Sequence, residues 1–286
     1  MAIFLLLLAI ARPAVAQTPL SLTDLCIAEL KSLPGKPKEA ELKTACESAA
    51  QLPVCVSEKG ERIFHYDKKS KEGEKDPKKI LVFSLIHGDE FPSGVVARSW
   101  MERLTTIEPR NSWRVVPVLN PDGVKNKTRV NANGIDINRN FPSKDWEEKA
   151  IQYWDKHTKK DKRRNPGTKP GSEKETLCAI AHIDDFNPDM ILSIHTPYNM
   201  LDFDGPKIPP PAFKHLPWKN LGTYPGSLGR YMWVDRSKPT LTIELSGNDV
   251  PEQLEEFDKL QDITGDIVLK AEKILKKQDK KPAPKP

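Results

Sequence analysis

Past residue 20 the 286-residue chain has no apolar run of the roughly 20 residues that a spanning helix requires, so no membrane span is expected in the mature form. None of its 4 cysteines stand in CxxC spacing, which argues against a thiolate zinc site or a dithiol redox pair. Glycine is sparse at 15 residues. With 37% hydrophobic and 30% charged residues, the composition is that of an ordinary globular protein, neither collagenous nor disordered. The positive excess of 5 comes with no nucleic-acid recognition motif, so nucleic acid is not an expected partner. The length suits one large α/β domain with a small appendage.

The first residues, MAIFLLLLAIARPAVAQ, form a short apolar stretch that ends in Ala14, Val15 and Ala16, an A-x-A cleavage pattern before Gln17. An export signal is expected over 1–16, and no cysteine directly follows it to carry a lipid. The expected destination is a periplasm or the exterior, where disulfides persist. Segment 21–52 reads as two short helices around Leu33-Pro34-Gly35, too small to bury a core unaided. Cys26 pairing with Cys46 is the expected staple, with Cys55 as the rival partner of either, and Cys178 is expected as a buried core thiol. The expected organisation is therefore 1–16 signal, 17–52 helical appendage, 53–277 main domain and 278–286 disordered basic tail. Much of the positive charge lies in two runs, 156–164 and 276–285, which read as solvated faces or as an attraction for an acidic polymer such as a cell wall.

Strand-like and helix-like segments alternate after the appendage. ERIFHYD, KKILVFSLIHG, WRVVPVLN, DMILSIH and PTLTIELS read as strands, and 92–105, 172–185 and 251–277 read as helices. This order predicts an α/β fold with a mixed, mostly parallel central sheet and helices on both faces. The runs LVFSLI, VVPVL and MILSI suit strands buried on both sides. In such sheets functional groups gather at the carboxyl ends of strands, where His87, Asn120, His195 and Glu244 all fall.

His87-Gly88-Asp89-Glu90 puts an imidazole and a carboxylate three residues apart on one turn, a spacing that can grip a zinc ion. Taken alone, it reads equally as a turn histidine beside a helix-capping acid. His195 closes a buried strand, where an imidazole needs a partner, and it supplies a third ligand. Three protein ligands leave one position open, as catalytic zinc does. Glu244 is an acid inside an apolar strand, where desolvation raises a carboxyl toward the range of a general base. In NPDGVKNKTRVNANGIDINRNFP, Arg129 and the Asn138-Arg139 pair offer guanidinium forks for carboxylates or oxyanions.

HGDE, NPDG, GIDINRNFP, SEKET, SIHT and IELS occur in this order, and the chain thereby resembles the zinc metallocarboxypeptidases. The stretches RNPGTKPGSEKET, HTPYNMLDFDGP and PGSLG are most similar to the murein peptide amidase branch, which cuts the γ-D-glutamyl to meso-diaminopimelate bond of cell-wall peptides. The resemblance implies one zinc ion held by His87, Glu90 and His195, with Glu244 as the base that moves the water's proton to the leaving amine. It implies that Asn138 and Arg139 bind the substrate's terminal carboxylate and that Arg129 polarises the scissile carbonyl. Tyr224 matches the family's mobile tyrosine if a two-residue gap precedes Gly226-Ser227, and otherwise reads as a loop residue. Leu228 falls where leaving-residue specificity is set, or is a packed leucine. Arg230 and Asp235 stand near enough in sequence to read the charged distal end of diaminopimelate. Peptidoglycan peptides or short peptides are the expected partners. Rival readings are a carboxypeptidase trimming ordinary C-termini, an N-acyl amino acid deacylase, and a wall-binding protein without catalysis.

Overall fold

Runs that are apolar at every position have no solvent face to offer, and the sheet buries them accordingly. The computed structural model describes residues 20–211, 213–247 and 254–279, so the expected signal and all but the start of the basic tail lie outside the described residues. The chain runs α1 (Leu22–Ser32), α2 (Glu39–Glu47), β1 (Tyr66–Lys68), β2 (Lys79–Phe83), α3 (Phe91–Thr106), β3 (Ser112–Val116), α4 (Pro121–Asn126), α5 (Trp146–Thr158), α6 (Lys174–Phe186), β4 (Met190–His195), β5 (Tyr198–Asp204), β6 (Trp218–Lys219), β7 (Thr240–Ser246) and α7 (Leu254–Asp279). The seven strands form one sheet in the order β1-β3-β2-β4-β7-β5-β6. Its centre, β3-β2-β4-β7, is parallel, while β1 and β5 join antiparallel. This is the mixed, mostly parallel sheet that the alternation predicts. The antiparallel strand β5, the two-residue β6, and helices α4 and α5 are additions to that expectation.

Successive strand residues face opposite layers. Ile80 and Val82 of β2 join Leu192, Ile194, Leu241 and Ile243 beneath α3 and α7. Leu81 and Phe83 join Val116 and Ile191 beneath α6. The helical N-terminal appendage docks on the α3 layer: Cys26, Leu30, Leu42 and Cys46 are wholly buried in the same cluster as Val95 and Trp100. Arg98 of α3 stitches the join, its guanidinium donating to the carbonyls of Leu30 and Pro34 at 2.8 Å each. These carbonyls at the end of α1 would otherwise lack partners.

Cys26 and Cys46 are disulfide-bonded, as expected. Cys178 departs from expectation: it is no free thiol but pairs with Cys55. The reason is tertiary. Bridges Ala50↔His65 and Val56↔Arg62 fold residues 50–65 back on themselves, and Ile63 lies in the α6-side core with Cys178, so Cys55 is delivered to α6. That bond closes a separation of 123 residues, and a loop of that size constrains the unfolded chain by on the order of 5 kcal/mol in the chain-entropy account.

Candidate active site

β2, β4 and β7 run parallel, so their carboxyl ends share one edge. The chain leaves β2 through Leu85, which sits at φ 46, a region a branched side chain rarely enters. The Ser93 hydroxyl of α3 accepts from the Leu85 amide and donates to the Glu90 carbonyl, which ties this turn to the helix start. Gly88 is pressed against the α4 turn: a Cβ there would come within 2.0 Å of the Gly123 carbonyl carbon. The HGDE and NPDG motifs are thus in backbone contact, and a side chain at Gly88 would separate them. Asn120 caps α4 by accepting from the Gly123 amide, and its amide group donates to the Ile86 carbonyl.

Glu90 is the N-cap residue of α3, yet its side chain makes no capping bond. It turns the other way. One oxygen lies 2.8 Å from His87 Nδ1 and the other 2.9 Å from His195 Nδ1, and the two Nδ1 atoms are 3.1 Å apart. All three side chains are more than nine-tenths buried. The far nitrogen of each ring is also held: His87 Nε2 by Asp136 at 3.1 Å and His195 Nε2 by the Ser193 hydroxyl at 2.8 Å. With Nε2 of each ring as the donor, both Nδ1 lone pairs point into one spot beside a carboxylate. Burial works against a charged Glu90, but the adjoining His87 and His195 outweigh it and hold the carboxyl well below its usual range. For His87, burial and Arg129 oppose protonation, and the carboxylates Glu90 and Asp136 overcome them.

Arg129 lies over this cluster. Its Nε and a terminal nitrogen meet one Asp136 oxygen at 3.0 Å each, and its other terminal nitrogen approaches Glu90 at 3.4 Å. Two of the five N–H donors of the guanidinium are engaged in hydrogen bonds, to Asp136 and Glu90, which leaves others for the cleft. Asp136 therefore braces His87 and Arg129 at once, and although burial opposes its charge, the Arg129 guanidinium and the His87 hydrogen bond hold its carboxyl well below the usual range. Asn138 and Arg139 sit on the 3-10 turn Ile137–Arg139 that follows. The Asn138 carbonyl oxygen accepts from the Leu228 amide at 2.9 Å, so its NH2 stays available. Arg139 stacks 4.8 Å from the centre of the Tyr224 ring, and its buried Nε has no hydrogen-bond partner. An orphaned guanidinium N–H at the wall of a cleft suits an incoming carboxylate.

Glu244 of β7 stands in register beside His195 of β4. It is 7% exposed, and burial holds its carboxyl above the usual range. His87, Glu90, His195, Arg129, Asn138, Arg139 and Glu244 line one cleft of about 470 Å³, with Tyr224 and Leu228 on its wall and Asp136 behind it. Leu228 is also packed in the α6-side core. Arg230 and Asp235 do not line the cleft. The Arg230 guanidinium is engaged by Asp145 at the start of α5, and Asp235 accepts from the Lys144 amide. The structure therefore places both outside the cleft that holds the other expected site residues. The basic run 156–164 is placed as cleft wall rather than remote surface: Thr158, Asp161, Arg163 and Arg164 line the mouth, and Arg163 pairs with Asp89 at 2.7 Å.

The profile of one known family, described as zinc carboxypeptidase, matches residues 50–218 of this chain. The chain belongs to the zinc carboxypeptidase family. Murein peptide amidase A of Escherichia coli (strain K12) is 39% identical over 121 residues, 41% of this chain and 48% of that protein. The chain thus spans about half the length of that relative. Murein peptide amidase A of Vibrio campbellii is 30% identical over 176 residues, 58% of this chain and 68% of that protein. Among solved structures, murein-tripeptide amidase MpaA from Escherichia coli O157 superposes with a TM-score of 0.54 at 22% identity, over 77% of this chain and 91% of that one. Thrombin-activatable fibrinolysis inhibitor superposes at 0.62 with 14% identity, over 82% of this chain and 71% of the other. Both show the fold.

The donor set of this family member suits its family's metal. Two neutral imidazole nitrogens and a carboxylate converge within 4.8 Å of one another, with lone pairs opposed unless a cation lies among them. Sequence reasoning overlooked Asp136 and Ser193. Asp136 lies in the quoted GIDINRNFP, and a ligating histidine regularly gives its second nitrogen to a carboxylate. That was the available signal, but the partner is 49 residues away and no spacing rule reaches it.

Proposed function

We propose that the protein is an exported zinc peptidase that hydrolyses murein peptides at the γ-D-glutamyl to meso-diaminopimelate bond. The observation that carries the reading is the sharing of one cleft by the His87-Glu90-His195 cluster, Glu244 and Arg139, whose Nε has no hydrogen-bond partner while a terminal nitrogen donates to the Asn138 carbonyl. The names of the relatives support murein peptides as the substrate class. The two buried disulfides support an oxidising compartment and an export signal over 1–16, followed by an appendage over 17–52, a catalytic region over 53–277 and a basic tail.

His87, Glu90 and His195 would hold one zinc ion. When bound, zinc supplies a polarised carbonyl and a water acidified to near neutrality. Glu244 takes the attacking water's proton and returns it to the departing amine. Arg129, clamped by Asp136, turns its remaining donors toward the scissile carbonyl oxygen. Asn138 and Arg139 hold the carboxylate of the departing residue, with Tyr224 stacked against the guanidinium.

The deciding experiment incubates the zinc-loaded mature protein with a murein tripeptide, a murein tetrapeptide and an ordinary C-terminal peptide, followed by mass analysis. Release of diaminopimelate or a diaminopimelyl peptide is expected, and trimming of the ordinary peptide alone would overturn the reading.

The anchoring role can be separated from chemistry. Arg139→Lys keeps a positive charge but loses the planar fork, so kcat/KM on a substrate with a free carboxyl terminus should fall about 10- to 100-fold. Amidating that terminus should harm wild type comparably and the variant little further, because both changes delete one interaction. Additive losses would assign Arg139 to bracing its loop instead.

A further inference from the structure

Two carboxylates at the far end of the cleft have no part in the chemistry above. Asp202 and Asp204 alternate along β5 with Leu201 and Phe203, which enter the α3-side core, so both acids face the opposite layer. Both line the cleft, and they are 5% and 8% exposed. The Leu221 amide donates to Asp202 at 2.9 Å. Among the described residues no hydrogen bond or ion pair reaches the Asp204 carboxylate. Space has been cleared for it, since Gly229 lies so close that a Cβ there would come 2.0 Å from Asp204 Oδ2. Burial and then the neighbouring Asp202 push Asp204 up to about 7, and burial raises Asp202 as well. Paired acids with so little solvent and no counter-charge await a cation.

Their position fits the departing residue. β5 pairs with β7 so that Met200 faces Glu244, Asp202 faces Thr242 and Asp204 faces Thr240. Asp202 therefore lies one strand, about 4.8 Å, across from Glu244 and two residues, roughly 7 Å, along. The cleft is then bipolar, with Arg139 for an anionic end and two aspartates for a cationic one.

We propose that Asp202 and Asp204 form the floor of the leaving-residue subsite and select a side chain that ends in a cationic amino group. This rests on the peptidase reading above and specifies its substrate class. The aspartates set which residue departs, while Glu244 and the metal cluster set the rate of bond cleavage.

The test uses full-length zinc-loaded protein and γ-D-glutamyl peptides whose departing residue is diaminopimelate, lysine, Nε-acetyl-lysine or norleucine. Wild type should favour lysine over its acetylated and norleucine counterparts by about 10- to 100-fold in kcat/KM. Asp202→Asn and Asp204→Asn should each shrink that ratio, and the double variant should bring it near one. Gly229→Ala should shrink it too, since the backbone at φ −59 accepts alanine and the added methyl displaces Asp204. Calorimetry gives a readout free of turnover: zinc-free wild type should bind free lysine more tightly than norleucine, and the double variant should bind them alike. A wild-type ratio near one, or an undiminished ratio in the double variant, overturns the proposal. The wild-type comparison needs no variant to fold. If γ-D-glutamyl peptides resist cleavage but ordinary peptides ending in lysine show the same preference, the aspartate floor stands and the murein reading falls.

Discussion

Glu244→Gln should retain the full zinc content of the wild type and turn over about 100- to 10,000-fold more slowly. The amide copies the shape of the carboxyl but cannot accept a proton, so binding and chemistry separate. The surroundings make the substitution clean. Ile243 and Leu245 on either side point into the α3-side core and fix the strand, while the hydrogen bond that reaches the carboxylate from the Tyr198 amide is long, at 3.5 Å. Metal analysis beside steady-state kinetics checks the prediction, and a kcat near wild type would remove Glu244 from the mechanism.

The second large effect concerns the metal. His87→Ala, Glu90→Ala and His195→Ala should each purify with little or no zinc and with activity at background, because each deletes one of the three ligands proposed here. Asp136→Asn keeps all three ligands and should behave differently. Asp136 orients His87 and clamps Arg129, so zinc affinity should weaken about 10- to 100-fold. Added zinc should restore occupancy in this variant and not in the alanine series. A competition titration against a chelator separates the two classes. Full occupancy in all three alanine variants would contradict the site.

Legibility in the sequence followed the range of the interaction that fixes each residue. The central strands were readable because a strand buried on both faces needs an unbroken apolar run, as in Leu81, Val82 and Phe83 or Ile191 and Leu192. His87 and Glu90 were readable because one turn carries both. What escaped was set by partners distant in the chain. Arg230 reads as a free charge until the start of α5 brings Asp145 to it, and Cys178 reads as a lone thiol until residues 50–65 fold over α6. β5 escaped for another reason. Its alternation of Leu201 and Phe203 with two aspartates is a period-2 strand pattern, but the acids leave it no continuous apolar run. The feature that hid the strand is the one that equips the cleft floor.

The Cys55–Cys178 bond sets an order of events for a chain threaded through a membrane with its N-terminus leading, as proposed here. Cys26, Cys46 and Cys55 emerge first, and only 9 residues separate Cys46 from Cys55 against 20 between Cys46 and its native mate. The native mate of Cys55 is the last to arrive, 123 residues later. An early oxidant therefore meets three thiols with one correct pairing among them, and a Cys46–Cys55 mispair would strand both Cys26 and Cys178. Production in a host compartment that oxidises thiols but reshuffles them poorly should trap that isomer, whereas one with an efficient disulfide isomerase should release it.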